Sequence, residues 1–412
     1  MTTRRQILRS LYIASVAAWA VMPAVGHAQA AGPIRIGMTV SSAGAFALAS
    51  QSGTRGIDIW VDEVNAKGGI DVRGVKRKVE LVKLDDRSDK QMVTRVYEKL
   101  ITDDKVDVLF GPFGSTLTGA AATVTERLDR LMVIWSAASD QIYQQGFKSI
   151  VSATQMPVSA VPSMSIELAA QLGFKKIAIP YSDEPFTASM AEAAKQLAES
   201  KGMQVVLFDR YPKGQKDFST ILQKAKALGA EVFYPASYES DLISMLGQLK
   251  QLNINFPFAY MHYGSTPQFL ELGKDTEYLY SQTLFHPDIK WKVNAGYDRE
   301  RFLAAYARLN KNATFAADFQ TAQAYGAGVV LEQLIVRAGA LDAAALKKAA
   351  LDLSGKLTVL PGEYAIDSAG KQLKMVTPTM QNQPGRGLVA VWPAAVATGK
   401  PISPAPAWAD RK

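Results

Sequence analysis

Short apolar runs alternate with longer segments of helical periodicity, and this alternation restricts the fold more than any other feature. The first apolar run extends from Ile34 to Val40, and between Gly53 and Ala66 apolar residues recur every three or four positions. Further strands are predicted at 79–84, 106–110 and 131–135, with helices at 90–101 and 115–128. Strands that alternate with helices of this length predict a parallel, doubly wound α/β sheet.

A second series of the same kind begins after Thr154. It predicts helices at 157–172, 186–201, 218–228 and 241–252 and strands at 176–181, 205–208, 231–234 and 258–261. Three helices (298–309, 318–338 and 342–353), a hairpin at 362–375 and a strand at 388–392 follow. A chain of 412 residues is too long for one ordinary core. We therefore expect two α/β units.

The first thirty residues have the features of an export signal. Arg4 and Arg5 precede an apolar run from Leu11 to Val25, and Ala28-Gln29-Ala30 has the small-x-small pattern of a cleavage site. The arginine pair resembles a twin-arginine signal, although Ile7 stands where such signals usually carry Phe, and Sec export is an equal alternative. We expect export and cleavage after about Ala30.

Composition and charge exclude several classes of site. The chain has no cysteine, which excludes disulfides, thiolate metal sites and cysteine nucleophiles. Removal of the leader lowers the formal net charge from +8 to about +5. The remaining basic residues are scattered and form no stripe of the kind that binds nucleic acid. No phosphate loop or metal-spaced histidine pair is present, so no metal or cofactor is predicted.

The turn at 111–116 offers a seat for an anion. An apolar run ends at Gly111-Pro112, and Ser115 and Thr116 stand where helix caps occur. The first amides of a helix have no partner within the helix and carry partial positive charge, so a small acid can bind there. On these residues alone, the competing interpretation is that Ser115 only caps its own helix.

Polar turns also follow other predicted strands. In doubly wound sheets, ligands bind beyond the carboxyl ends of the strands. Turns from both units could therefore face one another across a cleft. They are 41–42, 85–86, 114–116, 136–139, 182–186, 237–238 and 262–263.

The order of motifs resembles the type I periplasmic solute-binding proteins of the branched-chain amino acid (Leu/Ile/Val-binding) group, which serve ABC importers. The resemblance covers essentially the whole mature chain. It is carried by the segments 34–37, 64–70, 84–86, 111–116, 137–139, 216–219 and 324–325. It implies a fold of two doubly wound α/β lobes joined by three crossover segments.

The resemblance also implies how the chain is divided and what it works with. We expect residues 1–30 to be the signal peptide, 31–153 and 284–380 to form lobe 1, and 154–283 and 381–412 to form lobe 2. The implied protein is a monomeric periplasmic receptor, not an enzyme. It closes by hinge bending around a small-molecule ligand and delivers it to an ABC permease and ATPase complex.

In the family, a serine in the turn after the third strand holds the ligand's carboxylate, and this motif places that role on Ser115, with Thr116 beside it. A second hydroxyl and backbone groups come from the turn after the fourth strand. They carry over to Ala137 and Ser139, with serine in place of the usual threonine. The resemblance thus implies an intact carboxylate site.

The opposite side departs from the family's pattern. Amino-acid binders hold the ammonium group with an acid in the turn that corresponds here to His262 and Tyr263, where no carboxylate occurs. The family's pocket tyrosines align with Phe186 and, roughly, with Tyr238. An ammonium group without a counter-charge is costly to bury. We therefore expect an acid without an α-amine.

Aromatic side chains near the expected cleft favour a flat or aromatic acid. They are Phe113, Phe186, Tyr238, Tyr260, Tyr263 and Phe319. His262 has two interpretations, as a hydrogen-bond partner of the ligand or as a structural residue.

Three alternatives stay open at this stage. Asp183, Glu184 and Glu239 lie close enough in sequence to supply the missing carboxylate, so an amino-acid ligand is possible. A ligand sensor for a membrane receptor would have the same two lobes. An exported hydrolase is disfavoured, because Gly114-Ser115-Thr116 lacks the Gly-x-Ser-x-Gly frame of a nucleophile elbow.

Overall fold

A computed structural model of the chain describes residues 32–287, 289, 292–375 and 377–411. The predicted signal peptide, residues 1–30, lies outside these residues. In the part of the chain that the structure describes, no helix has the length and apolar character needed to cross a membrane.

The first α/β unit is built on a five-stranded parallel sheet. Its strands are ordered β4-β1-β5-β6-β7, and β2 and β3 form a separate antiparallel hairpin. The elements are β1 (Ile34–Val40), α1 (Ala47–Ala66), β2 (Ile70–Val72), β3 (Val75–Arg77), β4 (Val79–Asp85), α2 (Lys90–Thr102), β5 (Val108–Phe110), α3 (Ser115–Arg127), β6 (Met132–Ile134), α4 (Asp140–Gln144) and β7 (Ile150–Ser152).

The second unit contains a four-stranded parallel sheet with the order β10-β8-β12-β13 and a short parallel pair, β11-β9. Its elements are α5 (Ser163–Gln171), β8 (Lys176–Ala178), β9 (Tyr181–Ser182), α6 (Pro185–Ser200), β10 (Gln204–Leu207), β11 (Arg210–Tyr211), α7 (Ser219–Ala227), β12 (Val232–Phe233), α8 (Glu239–Gln251), β13 (Phe258–Ala259), α9 (Pro267–Leu270) and β14 (Tyr280–Gln282). Short 3₁₀ turns lie at Val158–Ala160 and Gly273–Thr276.

The chain then returns to the first unit before it ends on the second. The returning elements are α10 (Arg299–Leu309), α11 (Phe319–Ala338), α12 (Ala343–Leu353), β15 (Leu357–Val359) and β16 (Gly362–Tyr364). Finally, β17 (Thr379–Gln383) and β18 (Gly387–Trp392) form an antiparallel sheet with β14 in the order β14-β17-β18. A 3₁₀ turn lies at Trp408–Asp410.

The two doubly wound units confirm the predicted fold class, while several local predictions were wrong. The predicted helix at 157–172 is a 3₁₀ turn followed by α5, and Pro162 lies between them. In the hairpin predicted at 362–375, the chain turns back at 367–370 as expected, but its arms form only an isolated bridge between Ile366 and Gln372. Its first residues instead pair with the preceding strand as β15–β16. The residue limits of the two lobes stay predictions.

Strands β14 and β17 were not predicted because they are polar but buried, a combination that gives no hydrophobic periodicity. The C-terminal tail compensates polar side chains of β17. The amide of Gln381 donates to the carbonyl of Ile402 at 2.9 Å, and that of Gln383 donates to the carbonyl of Lys400 at 2.8 Å. Buried polar groups are tolerated when hydrogen-bonded in this way.

Close packing of α1 against α11 holds the returning segment on the first sheet. A Cβ atom on Gly56 would lie 2.1 Å from the carbonyl oxygen of Thr321, and one on Gly328 would lie 2.4 Å from the indole ring of Trp60. The hydroxyl of Tyr325 in α11 donates to buried Glu63 in α1 at 2.5 Å. These contacts require backbones so close that glycine is the only residue that fits.

We expect Gly56→Ala to lower the free energy of unfolding by about 1–3 kcal/mol, because the added methyl group forces the two helices apart. The matched control is Gly247→Ala on α8, where a Cβ meets open space. Since alanine favours a helix interior, this control should gain roughly 0.5–1 kcal/mol. Urea denaturation of both variants tests the prediction, and an unchanged stability of Gly56→Ala would contradict it.

Candidate ligand-binding site

Side chains from the carboxyl ends of both main sheets enclose a small aromatic cavity, with further walls from β14, the crossing segments and the start of α11. Its volume is about 30 Å³. Six residues predicted from the sequence line it: Phe113, Phe186, Tyr238, His262, Tyr263 and Phe319. The polar lining includes Gly114, Ser136, Gln155, Gln282, Gln320 and Gln323, none of which was predicted as a site residue.

Tyr238, which follows β12, brings the two walls of the aromatic cavity together. Its ring packs against Phe46 at 5.1 Å and Phe186 at 5.7 Å between centroids. Its hydroxyl lies 3.6 Å from the position that a Cβ on Gly114 would occupy. Because Phe46 and Gly114 belong to the first unit, this tyrosine spans the cleft between the lobes.

The residues that the structure places around the aromatic cavity include no aspartate, glutamate, lysine or arginine. His262 is buried against Phe186, with ring centroids 5.6 Å apart. Burial lowers the pKa of His262 to about 3, so its imidazole is neutral at neutral pH. The cavity is therefore polar in places but carries no formal charge from these residues.

The three acids considered as substitutes for the missing carboxylate have other partners. Asp183 forms an exposed ion pair with Arg210 at 3.4 Å, and Glu184 pairs with Lys213 at 2.6 Å. Glu239 accepts a hydrogen bond from the hydroxyl of Thr266. None of the three is among the residues described around the aromatic cavity.

The turns that follow β5 and β6 lie side by side at the carboxyl edge of the first sheet. The amide of Ser139 donates to the hydroxyl of Ser115 at 3.1 Å, and the amide of Gly114 contacts the hydroxyl of Ser136 at 3.4 Å. Gly114, at φ +85°, is the N-cap residue of α3. The hydroxyl of Ser115 therefore does not cap the helix that it begins but joins the two turns.

These paired turns contribute to two cavities. Gly114 and Ser136 line the aromatic cavity, whereas Ser115, Thr116 and Ser139 line a second cavity of about 250 Å³ that also touches Pro185 of the other unit. The Thr116 hydroxyl is buried without a hydrogen-bond partner. Ala137 is fully buried, and its carbonyl accepts from the hydroxyl of Tyr143 at 3.3 Å.

The glutamines in the aromatic cavity were missed because the sequence gives weak signals for them. Gln282 lies in the unpredicted polar strand β14. Gln320 and Gln323 lie in the first turns of α11, beside the predicted Phe319, and a spacing of three residues was the only indication that they share a face.

Comparison with known proteins identifies the family. A family model described as periplasmic binding protein matches residues 33–384. The chain belongs to this family. Its members are solute-binding proteins, and their periplasmic character implies a location outside the cytoplasm. The match confirms the resemblance found in the sequence.

One relative is the Leu/Ile/Val-binding protein homolog 7 of Brucella abortus, which is 28% identical over 389 residues that cover 90% of this chain and 94% of that protein. A leucine binding protein from Thermotoga maritima shares the fold with a TM-score of 0.74 and 21% identity, covering 85% of this chain and 96% of that one. A solute binding protein of an ABC transporter from Rhodopseudomonas palustris, solved in complex with p-hydroxybenzoic acid, gives a TM-score of 0.75 at 21% identity, with coverages of 92% and 99%.

The environment of Glu239 predicts a pH dependence of stability. Burial raises the pKa of this carboxyl to about 7 from an ordinary value of 4.5, and its hydrogen bond to Thr266 only partly opposes the shift. Between these two values the unfolded chain ionises and the folded protein does not. Stability contributed by Glu239 is therefore present below pH 4.5 and lost as the pH rises to about 7, by up to about 1.4 kcal/mol per pH unit.

Relative to Glu239→Gln, the wild-type protein should lose roughly 2–3 kcal/mol of stability between pH 5 and pH 8. Urea denaturation of both proteins at several pH values measures this difference. Glu98→Gln, which removes an exposed partner of Arg127, is the control and should show little change. If the difference in unfolding free energy between the wild-type protein and Glu239→Gln is the same at pH 5 and pH 8, the raised pKa of Glu239 is contradicted.

Proposed function

We propose that this protein is the substrate-binding component of an ABC importer of the branched-chain amino acid family and that it captures a small aromatic carboxylic acid. The observation that carries the proposal is the aromatic cavity, whose described lining is rich in rings and neutral polar groups and free of formal charge. Aromatic walls favour a flat ligand. The p-hydroxybenzoic acid complex of the Rhodopseudomonas palustris protein is consistent with this ligand class.

The cavity disfavours a free amino acid. An ammonium group there would lose its hydration without gaining a carboxylate partner from the described lining, which costs several kcal/mol. Neutral His262 cannot replace the acid that amino-acid binders use at this turn, because it carries no negative charge in either protonation state. The names of the relatives that bind leucine or its analogues are therefore weaker guides to the ligand than the cavity itself.

The proposed seat of the ligand's carboxylate is the pair of turns at 113–116 and 136–139. The N-terminus of α3 directs unpaired amides and partial positive charge to this point. The hydroxyls of Ser115, Thr116 and Ser139 lie on one side and Gly114 and Ser136 on the side of the rings. Amides and hydroxyls can stabilise a carboxylate bound here, and Lys90 lines the same second cavity.

We further propose that binding is coupled to hinge closure. A cavity of about 30 Å³ has room for only two or three water molecules, since about 10–15 Å³ holds one. An aromatic acid can therefore enter only when the walls separate. The crossing segment at Thr154 is fixed to the first unit, because the Thr154 hydroxyl donates to the carbonyl of Gln323 at 2.9 Å. The chain would therefore bend after Thr154 when the second unit rotates away from the first.

A calorimetric titration with benzoate, phenylacetate, their ring-hydroxylated forms, leucine and valine tests the proposal. We expect at least one aromatic acid to bind with a dissociation constant in the micromolar range or below, and leucine and valine to bind at least 100-fold more weakly. Small-angle scattering with the tightest ligand should show a smaller radius of gyration.

Leucine or valine binding more tightly than every aromatic acid in the panel would overturn the ligand class. A radius of gyration that stays constant with a saturating ligand would overturn the proposed closure while leaving the ligand class intact.

Ser115→Ala tests the carboxylate seat. Loss of a hydrogen bond to a charged group should weaken binding of the aromatic acid by roughly 1.5–3 kcal/mol, while the amide of Ser139 loses a partner at a cost of about 1 kcal/mol in stability. Ser244→Ala, at an exposed helix position where the hydroxyl bonds to its own helix, is the matched control. A large loss of stability with unchanged affinity would show that Ser115 only joins the two turns.

A further inference from the structure

Two buried glutamines in the aromatic cavity hold polar atoms without partners. The Gln282 Oε1 atom and the Gln320 Nε2 atom are both buried and form no hydrogen bond within the described structure. The side chains are almost inaccessible, at 7% for Gln282 and 2% for Gln320. Since nearly all buried polar atoms in proteins are hydrogen-bonded, an unpartnered acceptor and an unpartnered donor in one small cavity point to a ligand group.

The remaining contacts of the two amides fix where this group would bind. The Gln282 Nε2 atom lies 3.0 Å from Nδ1 of His262, so one polar atom of the amide is held by the imidazole and the other is left to the cavity. Phe319, which precedes Gln320, stacks on Tyr263 at 6.2 Å between centroids. The Gln282 amide therefore adjoins the turn at 262–263 of the second unit, and Gln320 follows a residue that stacks on this turn. The proposed carboxylate seat belongs to the first unit.

The chemistry of the pair selects a hydroxyl group. A carboxylate only accepts hydrogen bonds, so it would leave an acceptor such as Gln282 Oε1 unpaired and would face it unfavourably. An ammonium group only donates, and it would leave the Gln320 amide unpaired. A phenolic hydroxyl donates one hydrogen bond and accepts another, and it therefore satisfies both atoms at once.

Neutral His262 supports the same assignment. A neutral imidazole has one acceptor nitrogen, so Nδ1 can accept from the Gln282 Nε2 atom, and Oε1 is then the atom left to the cavity. A phenolic hydroxyl can donate to this oxygen while it accepts from the Gln320 amide.

We propose that the aromatic cavity recognises a hydroxyl group on the ligand's ring, through Gln282 held by His262 and through Gln320. The preferred ligands are hydroxylated aromatic acids, and the unsubstituted acids are discriminated against because they leave both amides unpaired. This inference rests on the proposed function and specifies the ligand within that class.

The test compares the affinities of benzoate and phenylacetate with those of their 2-, 3- and 4-hydroxylated forms by calorimetry. At least one hydroxylated acid should bind tenfold or more tightly than its parent acid, since a site built to bond a hydroxyl strongly rejects the analogue that lacks it. In Gln282→Met this preference should fall toward one, because the hydroxylated acid loses a hydrogen bond while the parent acid no longer leaves this amide unpaired. Gln320→Met should act in the same direction.

Gln268→Met is the matched control. Gln268 is also a buried glutamine, 8% exposed, with an unpartnered Oε1 atom, but it is not among the residues that line the aromatic cavity. Its substitution should leave the preference for the hydroxylated acid unchanged. Melting temperatures of all variants in the absence of ligand show whether each is folded.

The outcomes separate this inference from the proposed function. Parent acids that bind as tightly as all of their hydroxylated forms would overturn the inference and leave the aromatic-acid receptor standing, and so would a Gln282→Met variant that weakens both kinds of acid equally. Failure of every aromatic acid to bind would overturn the proposed function and the inference with it. If Gln282→Met does not fold, the affinities of the wild-type protein for the parent and hydroxylated acids decide by themselves whether the inference holds.

Discussion

The contact of α1 with α11 is the constraint on which the site depends. Glycines at Gly56 and Gly328 let these two helices approach until Trp60 and the backbone of α11 touch. Helix α11, which follows the second unit in the chain, is thereby fixed on the first unit. Because its first turns carry Phe319, Gln320 and Gln323 into the lining of the aromatic cavity, this packing decides which side chains form that wall.

The described lining of the aromatic cavity contains no acidic or basic residue, although acidic residues lie close to it. Glu184 and Glu239 are buried close to Tyr238 and Tyr263. Burial raises the pKa values of both tyrosines, the negative charge of Glu184 raises both further, and that of Glu239 adds to the shift of Tyr263. Each carboxylate has its own partner, Lys213 or Thr266. The acids near the cleft therefore form contacts within the walls of the site and are not left free for a ligand. This arrangement favours a ligand that is recognised by neutral groups.

The turns after β5 and β6 each contribute residues to two different cavities. Adjacent residues in the turn after β5, Gly114 and Ser115, line different cavities, and so do Ser136 and Ser139 in the turn after β6. Hydrogen bonds between the turns keep them in register. An acid held at this edge would touch both pairs, and its ring would extend toward the turn at 262–263 of the second unit.

The sequence by itself determined the doubly wound units and the family, because strand and helix periodicity and local motifs are properties of neighbouring residues. Of the six aromatic residues that it predicted near the cleft, five line the aromatic cavity, whereas Tyr260 stacks on Tyr234. It could not show that Gln282 lies on a buried polar strand, since that strand is stabilised by β17 about one hundred residues later in the chain. The pairing of Gln282 with His262 and the assignment of Glu184 and Glu239 to other partners were likewise decided by tertiary structure. Burial and partner choice depend on contacts distant in sequence, and these determine which polar atoms remain for a ligand.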